Sequence, residues 1–114
     1  MSKKSYHGAL LSLLAAVKGV ESILKDETLK RGYCITRPPG HHSKCGESAG
    51  FCIFNNAAIA AKIARKQGKR VCIFDWDIHH GDGTQGEFYD DDQVLFISLH
   101  RSDGLKFYPY NAEM

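Results

Sequence analysis

The sequence is short of the features that define several protein classes. It has 114 residues, with only three prolines and one tryptophan, and it contains no internal repeat or linker, so one small domain is expected. Its 43% hydrophobic and 25% charged residues exclude intrinsic disorder, collagen and low-complexity repeats. The net charge of +2 is too small to indicate an electrostatic nucleic-acid binder, and we expect no direct binding to nucleic acid.

Cysteine pairs and long apolar runs are also missing. The four cysteines, Cys34, Cys45, Cys52 and Cys72, form no C-x-x-C pair. Three lie in apolar stretches, which predicts buried free thiols in a reducing compartment. No uninterrupted apolar run reaches the roughly 18 residues of a membrane span, so no membrane association is expected. Lysines before residues 9–17 imitate a signal peptide, but the apolar pattern continues beyond Lys18 without a cleavage site.

The pattern of apolar residues, glycines and prolines predicts an α/β order of elements. Leu10, Leu13, Leu14, Val17, Val20 and Leu24 recur at helical spacing and predict one buried helical stripe. The predicted elements are a helix at 8–25, a strand at 33–36, a helix at 56–67, a strand at 70–75, a glycine-rich loop at 81–86, a helical turn at 87–89 and a strand at 94–99.

Residues 71–74 and 94–97 are apolar at every position. Such strands are usually buried on both faces, as in a parallel sheet between helices. Two long helices cannot cover both faces of a sheet. The sequence therefore predicts part of a larger α/β domain.

Five of the six histidines fall in three places, at positions 41–42, 79–80 and 100. Each group follows a predicted strand, and ligands of open α/β sheets bind at the carboxyl ends of the strands. The sequence therefore predicts that three separate segments bring histidines to one functional edge.

The segment from Asp75 to His79 carries the highest density of ionisable groups. If it stays extended, Asp75, Asp77 and His79 share one side, while Trp76 and Ile78 face the other. Grouped charges at the end of a buried strand are costly without a cation, and Asp oxygen and His nitrogen suit zinc. The alternative is a carboxylate–histidine hydrogen-bond network without a metal.

Two further segments have candidate roles at the same edge. The prolines of residues 37–40 stiffen a loop before His41 and His42, which could carry protons if a carboxylate, Asp75 or Asp82, held the other ring nitrogen. Phe51 follows a glycine in the site loop, where it could wall a narrow substrate channel or belong to the core.

Four motifs resemble the zinc-dependent histone deacetylases: RPPGHH at 37–42, GFCIFNN at 50–56, DWDIHHGDGTQ at 75–85 and VLFISLHR at 94–101. DWDIHHG-x-GTQ and the Phe-Tyr-Pro at 107–109 resemble the class II branch most. The resemblance runs from about residue 8 to 109 and implies a doubly wound parallel α/β fold like that of arginase. It further implies that residues 1–114 are the central segment of a catalytic domain, without its N-terminal strands and C-terminal part.

The resemblance also implies a role for individual residues. Asp77 and His79 match two of the three zinc ligands, and His41 and His42 match the tandem catalytic histidines with Asp75 and Asp82 as partners. Asp75, Asp77, His79, Ser98 and Leu99 match a structural potassium site, partly through backbone carbonyls. Phe51 and Tyr108 match the aromatics beside the acetyl-lysine channel. Class II members often have Asn where Asp82 stands, and many members have Phe where Tyr108 stands.

The implied activity is hydrolysis of N6-acetyl-lysine, in histone or other protein tails, to lysine and acetate. Corepressor complexes and a nuclear or cytoplasmic location are implied as well. The family's third zinc ligand and its carbonyl-polarising tyrosine or histidine lie further along the sequence than Met114. We therefore expect the isolated 114 residues to be inactive and poorly stable.

Two other functions fit the same residues. An arginase-like enzyme or a small-amine amide hydrolase could use the same scaffold, although the His-His-Gly favours one zinc over a manganese pair. A non-catalytic, truncated interaction module is the other alternative.

Overall fold

The structure is a computed structural model that describes residues 2–110. Three helices and two strands follow one another along this part of the chain. They are α1 (Lys3–Lys25), α2 (Asn56–Lys66), β1 (Val71–Asp75), α3 (Asp82–Phe88) and β2 (Val94–Ser98). The predicted α/β class with parallel strands is confirmed.

The two strands form a parallel pair that brings their carboxyl ends together. Val71 pairs with Val94 at one end, and Asp75 pairs with Ser98 at the other. Parallel strands need a crossover connection, and α3 lies in that connection. The arrangement places the residues that follow Asp75 and Ser98 beside each other, at the edge where the histidines were expected.

A small apolar core covers one face of this sheet. Ala58 and Ala61 of α2 pack with Phe88 and Val94, and Val71 and Ile73 of β1 lie against this cluster. Asn55 begins α2, because its side chain accepts a hydrogen bond from the Ala58 amide at 3.1 Å. The alanine-rich sequence of α2 lets the helix approach the sheet closely.

The shortage of helices predicts that one face of the sheet stays uncovered in this chain, and the described residues show this uncovered face. Cys72, Phe74 and Leu95 are exposed, whereas their neighbours along each strand are partly or fully buried. The helices described cover one face only, so these apolar side chains meet solvent. The prediction that three cysteines are buried is wrong. Cys52 is buried, but Cys34, Cys45 and Cys72 are exposed thiols.

Helix α1 is longer than predicted, and the predicted stripe is partly buried except at Leu14. It begins at Lys3 because the Ser2 hydroxyl accepts a hydrogen bond from the Ser5 amide. The helix packs against α2, and its fully buried residues are Ala9 and Ser12, while Leu14 of the predicted stripe is 43% exposed. Small residues lie at the contact because two helix backbones approach closely there.

By length and composition, α1 is also apolar enough to cross a membrane. Polar residues interrupt the apolar run in this helix, so a search for an uninterrupted run does not find it. Core helices and signal sequences pass the same test, so the property does not distinguish between them.

Two element predictions were wrong. Residues 33–36 form no strand, and Tyr33 and Ile35 are 89% and 91% exposed, because no neighbouring strand in residues 2–110 offers them a hydrogen-bond ladder. The glycine-rich segment 81–86 is mostly helical, since α3 begins at Asp82 and absorbs the predicted turn at 87–89. An acidic first residue favours a helix start, and the Gln85 amide donates to the Gly81 carbonyl at 3.0 Å.

Candidate active site

Two histidine–aspartate pairs lie side by side at the carboxyl end of the sheet. His41 Nδ1 donates to Asp75 Oδ2 at 2.8 Å, and His42 Nδ1 donates to Asp82 Oδ1 at 2.8 Å. The two imidazole rings are 4.0 Å apart between centroids. Because each Nδ1 is held by a carboxylate, each Nε2 is the nitrogen left for proton transfer.

The backbone around the histidines is fixed from two sides. The Ser43 amide closes a turn onto the Gly40 carbonyl at 3.0 Å. The Thr84 amide of α3 donates to the His41 carbonyl at 3.1 Å, and the His42 amide donates to Cys52 Sγ at 3.4 Å. The loop is therefore attached to α3 and to the segment before α2.

Three glycines allow these segments to approach one another. A β-carbon at Gly83 would lie 2.5 Å from the Ser43 carbonyl oxygen, and one at Gly81 would lie 2.6 Å from Asp75 Oδ2. Gly50 has a φ of +50°, and a β-carbon there would overlap the His42 ring. Sequence reasoning assigned no role to these positions, although their place beside the site motifs was a usable signal.

Asp77 and His79 lie next to the histidine pair. His79 Nδ1 is 2.9 Å from Asp77 Oδ1, and the same oxygen is 4.0 Å from His41 Nε2. The strand ends at Asp75, as predicted, and the condition that the chain stays extended to His79 is not met. Instead, the Asp75 and Asp77 carboxylates accept hydrogen bonds from the amides two residues later, at 3.0 and 2.8 Å, and turn the chain.

The turned backbone still separates charged from apolar side chains. Trp76 and Ile78 are 78% and 55% exposed, while the Asp75, Asp77 and His79 side chains gather at the His41–His42 pair. The predicted grouping of the ionisable residues therefore agrees with the geometry, although it arises from successive turns rather than from an extended strand.

Burial and charge move the pKa values of the two histidines apart. Burial lowers the pKa of His41, but its hydrogen bond and charge interaction with Asp75 outweigh this effect, and the pKa is raised. Burial also lowers the pKa of His42, and the Asp82 hydrogen bond does not fully offset it, so that pKa is lowered. Titratable neighbours with diverging pKa values are typical of acid–base sites.

The carboxylates of the site favour their charged forms. Burial raises the pKa of Asp82, but hydrogen bonds from His42 and Lys44 outweigh it and lower the pKa below its ordinary value. Asp75 behaves in the same way, with burial outweighed by the His41 hydrogen bond and a backbone amide. Both remain negatively charged acceptors near neutral pH.

The donor set at Asp77 and His79 fits part of a zinc site. Carboxylate oxygen and imidazole nitrogen are usual zinc ligands, and a catalytic zinc normally takes three from the protein. Among residues 2–110, no group of three or more His, Cys, Asp or Glu side chains is arranged to hold a metal ion. The described residues thus place one carboxylate and one imidazole next to each other, and their assignment as zinc ligands stays a prediction.

Ser98 and Leu99 lie beside Asp75, as the resemblance implied. The Leu99 amide donates to the Asp75 backbone carbonyl at 2.9 Å, and Ser98 Oγ is 2.8 Å from His100 Nδ1. These contacts bring Ser98 and Leu99 close to the turn that carries Asp77 and His79.

The two expected channel aromatics differ in their surroundings. The Tyr108 ring packs edge-on against His42, with centroids 4.8 Å apart, and also contacts His79. Phe51 is 92% exposed, with a φ of 65°, and it borders a separate groove with Arg37 and Pro38. The structure therefore brings Tyr108 to the histidines but not Phe51.

The remaining histidines of the edge form a second cluster. His80 is buried, donates from Nε2 to the Gln85 side-chain oxygen at 2.7 Å, and stacks on His100 with centroids 4.5 Å apart. Gln85 belongs to α3, so this cluster links the turn at Asp77 and His79 to the helix. His80 and His100 have no part in the His–Asp pairs.

Comparison with known proteins identifies the family of this chain. The histone deacetylase domain model matches residues 1–114. Histone deacetylase 6 of Caenorhabditis elegans is 51% identical over 98 residues, which cover 83% of this chain and 10% of that protein. Histone deacetylase HDA1 of Candida albicans is 44% identical over 113 residues, covering 96% and 13%.

A solved structure agrees with these relatives. The crystal structure of the HDA15 HD domain superposes with a TM-score of 0.86 at 43% identity, over 93% of this chain and 30% of that one. The chain belongs to the histone deacetylase family, and the class II-like resemblance is confirmed. It spans 10–13% of the length of the two curated relatives named above.

Proposed function

We propose that this chain supplies the proton-transfer residues and two metal ligands of a zinc-dependent protein lysine deacetylase. The reaction is hydrolysis of N6-acetyl-lysine in histone or other protein tails, with lysine and acetate as products. The observation that carries the proposal is the convergence of two His–Asp pairs on the Asp77–His79 donors. We further propose that residues 1–114 form the central segment of the catalytic domain.

The residues of the site take separate roles in this reaction. Asp77 and His79 would hold zinc, which supplies a Lewis acid for the amide carbonyl and the attacking water. His42 is mainly neutral near pH 7 because burial lowers its pKa, so its Nε2 accepts the proton of that water. The pKa of His41 is raised beside Asp75, so His41 carries a proton more often than His42 does. His41 therefore donates the proton to the leaving amine.

Other parts of the proposal depend on the family alone. Tyr108 and Phe51 would flank the acetyl-lysine side chain. Asp75, Asp77, His79, Ser98 and Leu99 would hold a structural potassium ion. We also propose acetylated proteins as substrates, which the names of the histone deacetylase relatives support, and corepressor complexes and a nuclear or cytoplasmic location, which rest on the resemblance alone.

Deacetylation of an acetyl-lysine peptide tests the proposal directly. The gene product that carries these residues is purified with zinc, and acetate release is measured. We expect turnover in the wild type and its loss in Asp77→Ala, while His7→Ala, an exposed histidine of α1, retains it. Turnover of arginine or of a small acetylated amine, without turnover of the peptide, would favour the alternative hydrolases.

A further inference from the structure

A lysine without a role in the proposed reaction lies against the His42–Asp82 pair. Lys44 Nζ is 2.9 Å from Asp82 Oδ2, and His42 Nδ1 is 2.8 Å from Asp82 Oδ1. Each carboxylate oxygen therefore has its own cationic or N–H donor. The Asp82 side chain is only 10% exposed, whereas that of Lys44 is 49% exposed.

The backbone holds Lys44 in place relative to His42. Lys44 and Glu47 exchange two backbone hydrogen bonds of 3.1 Å each, which close a tight turn. Gly46 takes a φ of 78° within this turn, a conformation that glycine adopts without strain. Ser43, between His42 and Lys44, donates its hydroxyl to the Ile53 carbonyl at 2.9 Å.

A nearly buried carboxylate needs compensation that the histidine alone does not give. Burying an unpaired charge is costly, and a neutral imidazole supplies one hydrogen bond but no full charge. The Lys44 ammonium supplies the charge from the solvent side. It also fixes the rotation of the carboxylate, because a carboxylate held at one oxygen can turn about its terminal bond.

We propose that Lys44 is a positioning residue that aims Asp82 at His42. By holding Oδ2, Lys44 keeps Oδ1 on His42 Nδ1, so the imidazole carries its proton on Nδ1 and presents an unprotonated Nε2. This role rests on the proposed function for its catalytic consequence, but not for its effect on the imidazole. The Lys44 charge is needed to orient residue 82 when that residue is an aspartate. It is not needed when Asp82 is replaced by the uncharged asparagine.

The tautomer of His42 tests the proposal without any activity. Two-bond proton–nitrogen spectra of the gene product that carries these residues, labelled at histidine, distinguish Nδ1–H from Nε2–H imidazoles. We expect the Nδ1–H form in the wild type, a mixture of both forms in Lys44→Met, and restoration in Lys44→Arg. Lys62→Met is the matched control, because Lys62 is a similarly exposed lysine paired with Glu87. An unchanged tautomer in Lys44→Met overturns the proposal.

Kinetics of the gene product test the catalytic consequence. Lys44→Met should lower kcat by about fivefold, the upper range for a partly exposed ion pair, and leave KM unchanged. In an Asp82→Asn background the same substitution should have no effect on kcat. If Lys44→Met lowers kcat equally in the Asp82→Asn background, or if Lys62→Met lowers kcat as much, Lys44 does not act by positioning Asp82. If the wild type does not deacetylate the peptide, the proposed function is refuted. The tautomer spectra then still test whether Lys44 positions Asp82 on His42.

Discussion

At the scale of single residues, Asp77 and His79 are the first side chains to test. Their donor atoms lie 2.9 Å apart, so Asp77→Ala or His79→Ala removes one of the two proposed zinc ligands and should abolish zinc retention and deacetylation. Zinc per molecule is measured by elemental analysis of the purified gene product. Asp90→Ala, in an exposed turn, is the control. Normal zinc content and turnover in Asp77→Ala would show that the metal is held elsewhere.

Asp75 should matter less than the ligands themselves, since it acts through His41. Asp75→Asn weakens the 2.8 Å hydrogen bond that orients the His41 ring. Removing such a supporting partner costs roughly 10–100-fold in affinity or activity. Zinc titration and acetate release on the same preparation give both numbers, and an effect as large as that of Asp77→Ala would make Asp75 a direct ligand.

The proposed role of His42 predicts a particular kinetic pattern. His42→Ala should lower kcat far more than it raises KM, because the ring moves a proton in the transition state and does not bind the substrate. Steady-state kinetics with an acetyl-lysine peptide separate the two constants. A raised KM with unchanged kcat would instead make His42 a binding residue.

The lowered pKa of Asp82 predicts how stability depends on pH. A carboxyl group whose pKa is lower in the folded state stabilises that state above the unfolded value of about 3.9. This contribution disappears as the pH falls through the folded pKa. The difference in free energy of unfolding between wild type and Asp82→Asn should therefore be full above about pH 5 and shrink below about pH 4.

Urea unfolding between about pH 3 and pH 6 checks this dependence, because aspartate carboxyl groups titrate within this range. Asp26 offers a comparison, because it also accepts hydrogen bonds, from Thr28, but is fully exposed. Asp26→Asn should show a weaker dependence on pH than Asp82→Asn. A difference for Asp82→Asn that stays constant over the whole range would contradict the lowered pKa.

At the scale of elements, the contact between α3 and the histidine loop depends on a glycine. A β-carbon at Gly83 would lie 2.5 to 2.8 Å from three backbone atoms of His41, His42 and Ser43. Gly83→Ala must therefore push α3 away from the loop and weaken the bond from the Thr84 amide to the His41 carbonyl. We expect a destabilisation of about 1–3 kcal/mol.

Gly86 is the matched control in the same helix. A β-carbon there meets no atom within 4 Å, so Gly86→Ala should be neutral or stabilise by up to about 1 kcal/mol through helix propensity. Chemical denaturation of both variants measures the difference. If Gly83→Ala were as stable as Gly86→Ala, the close packing of α3 on the loop would be disproved.

Elements whose signal is local were predictable from the sequence. The alanines of α2 and the two apolar strands are encoded where they stand, and their predicted ends lie within one residue of the structure. The strand at 33–36 was wrong because a strand needs a partner, which is a property of the whole sheet. The helix at Asp82 was missed because three glycines at 81, 83 and 86 resemble a loop.

The candidate site was predictable in its residues more than in its geometry. Histidines after three predicted strands pointed to one edge, because parallel strands share it. The turns after Asp75 are local, because each aspartate accepts a hydrogen bond from the amide two residues later. The Lys44 contact and the close approach at Gly50 instead depend on how separate segments meet. No pattern within one segment reports such contacts, so sequence reasoning missed them.

At the scale of the whole molecule, one face of the sheet determines how the chain behaves alone. Phe74, Leu95 and Trp76 are 48%, 59% and 78% exposed, and they lie on or beside the face that the described helices leave uncovered. Exposed apolar sheet surfaces recruit other chains. We therefore expect a purified polypeptide of residues 1–114 to self-associate and to show poor thermal stability.

Light scattering over a range of concentrations measures this association, and scanning calorimetry measures the thermal transition. Leu95→Lys places a charge on the uncovered face and should shift the population towards monomer. Leu29→Lys, an exposed leucine outside both strands, is the control and should change little. The same preparation should hold zinc weakly, because residues 2–110 contain no group of three metal-binding side chains. A monomer with a cooperative transition and one tightly bound zinc would contradict both expectations, since it would require a covered sheet face and a third protein ligand.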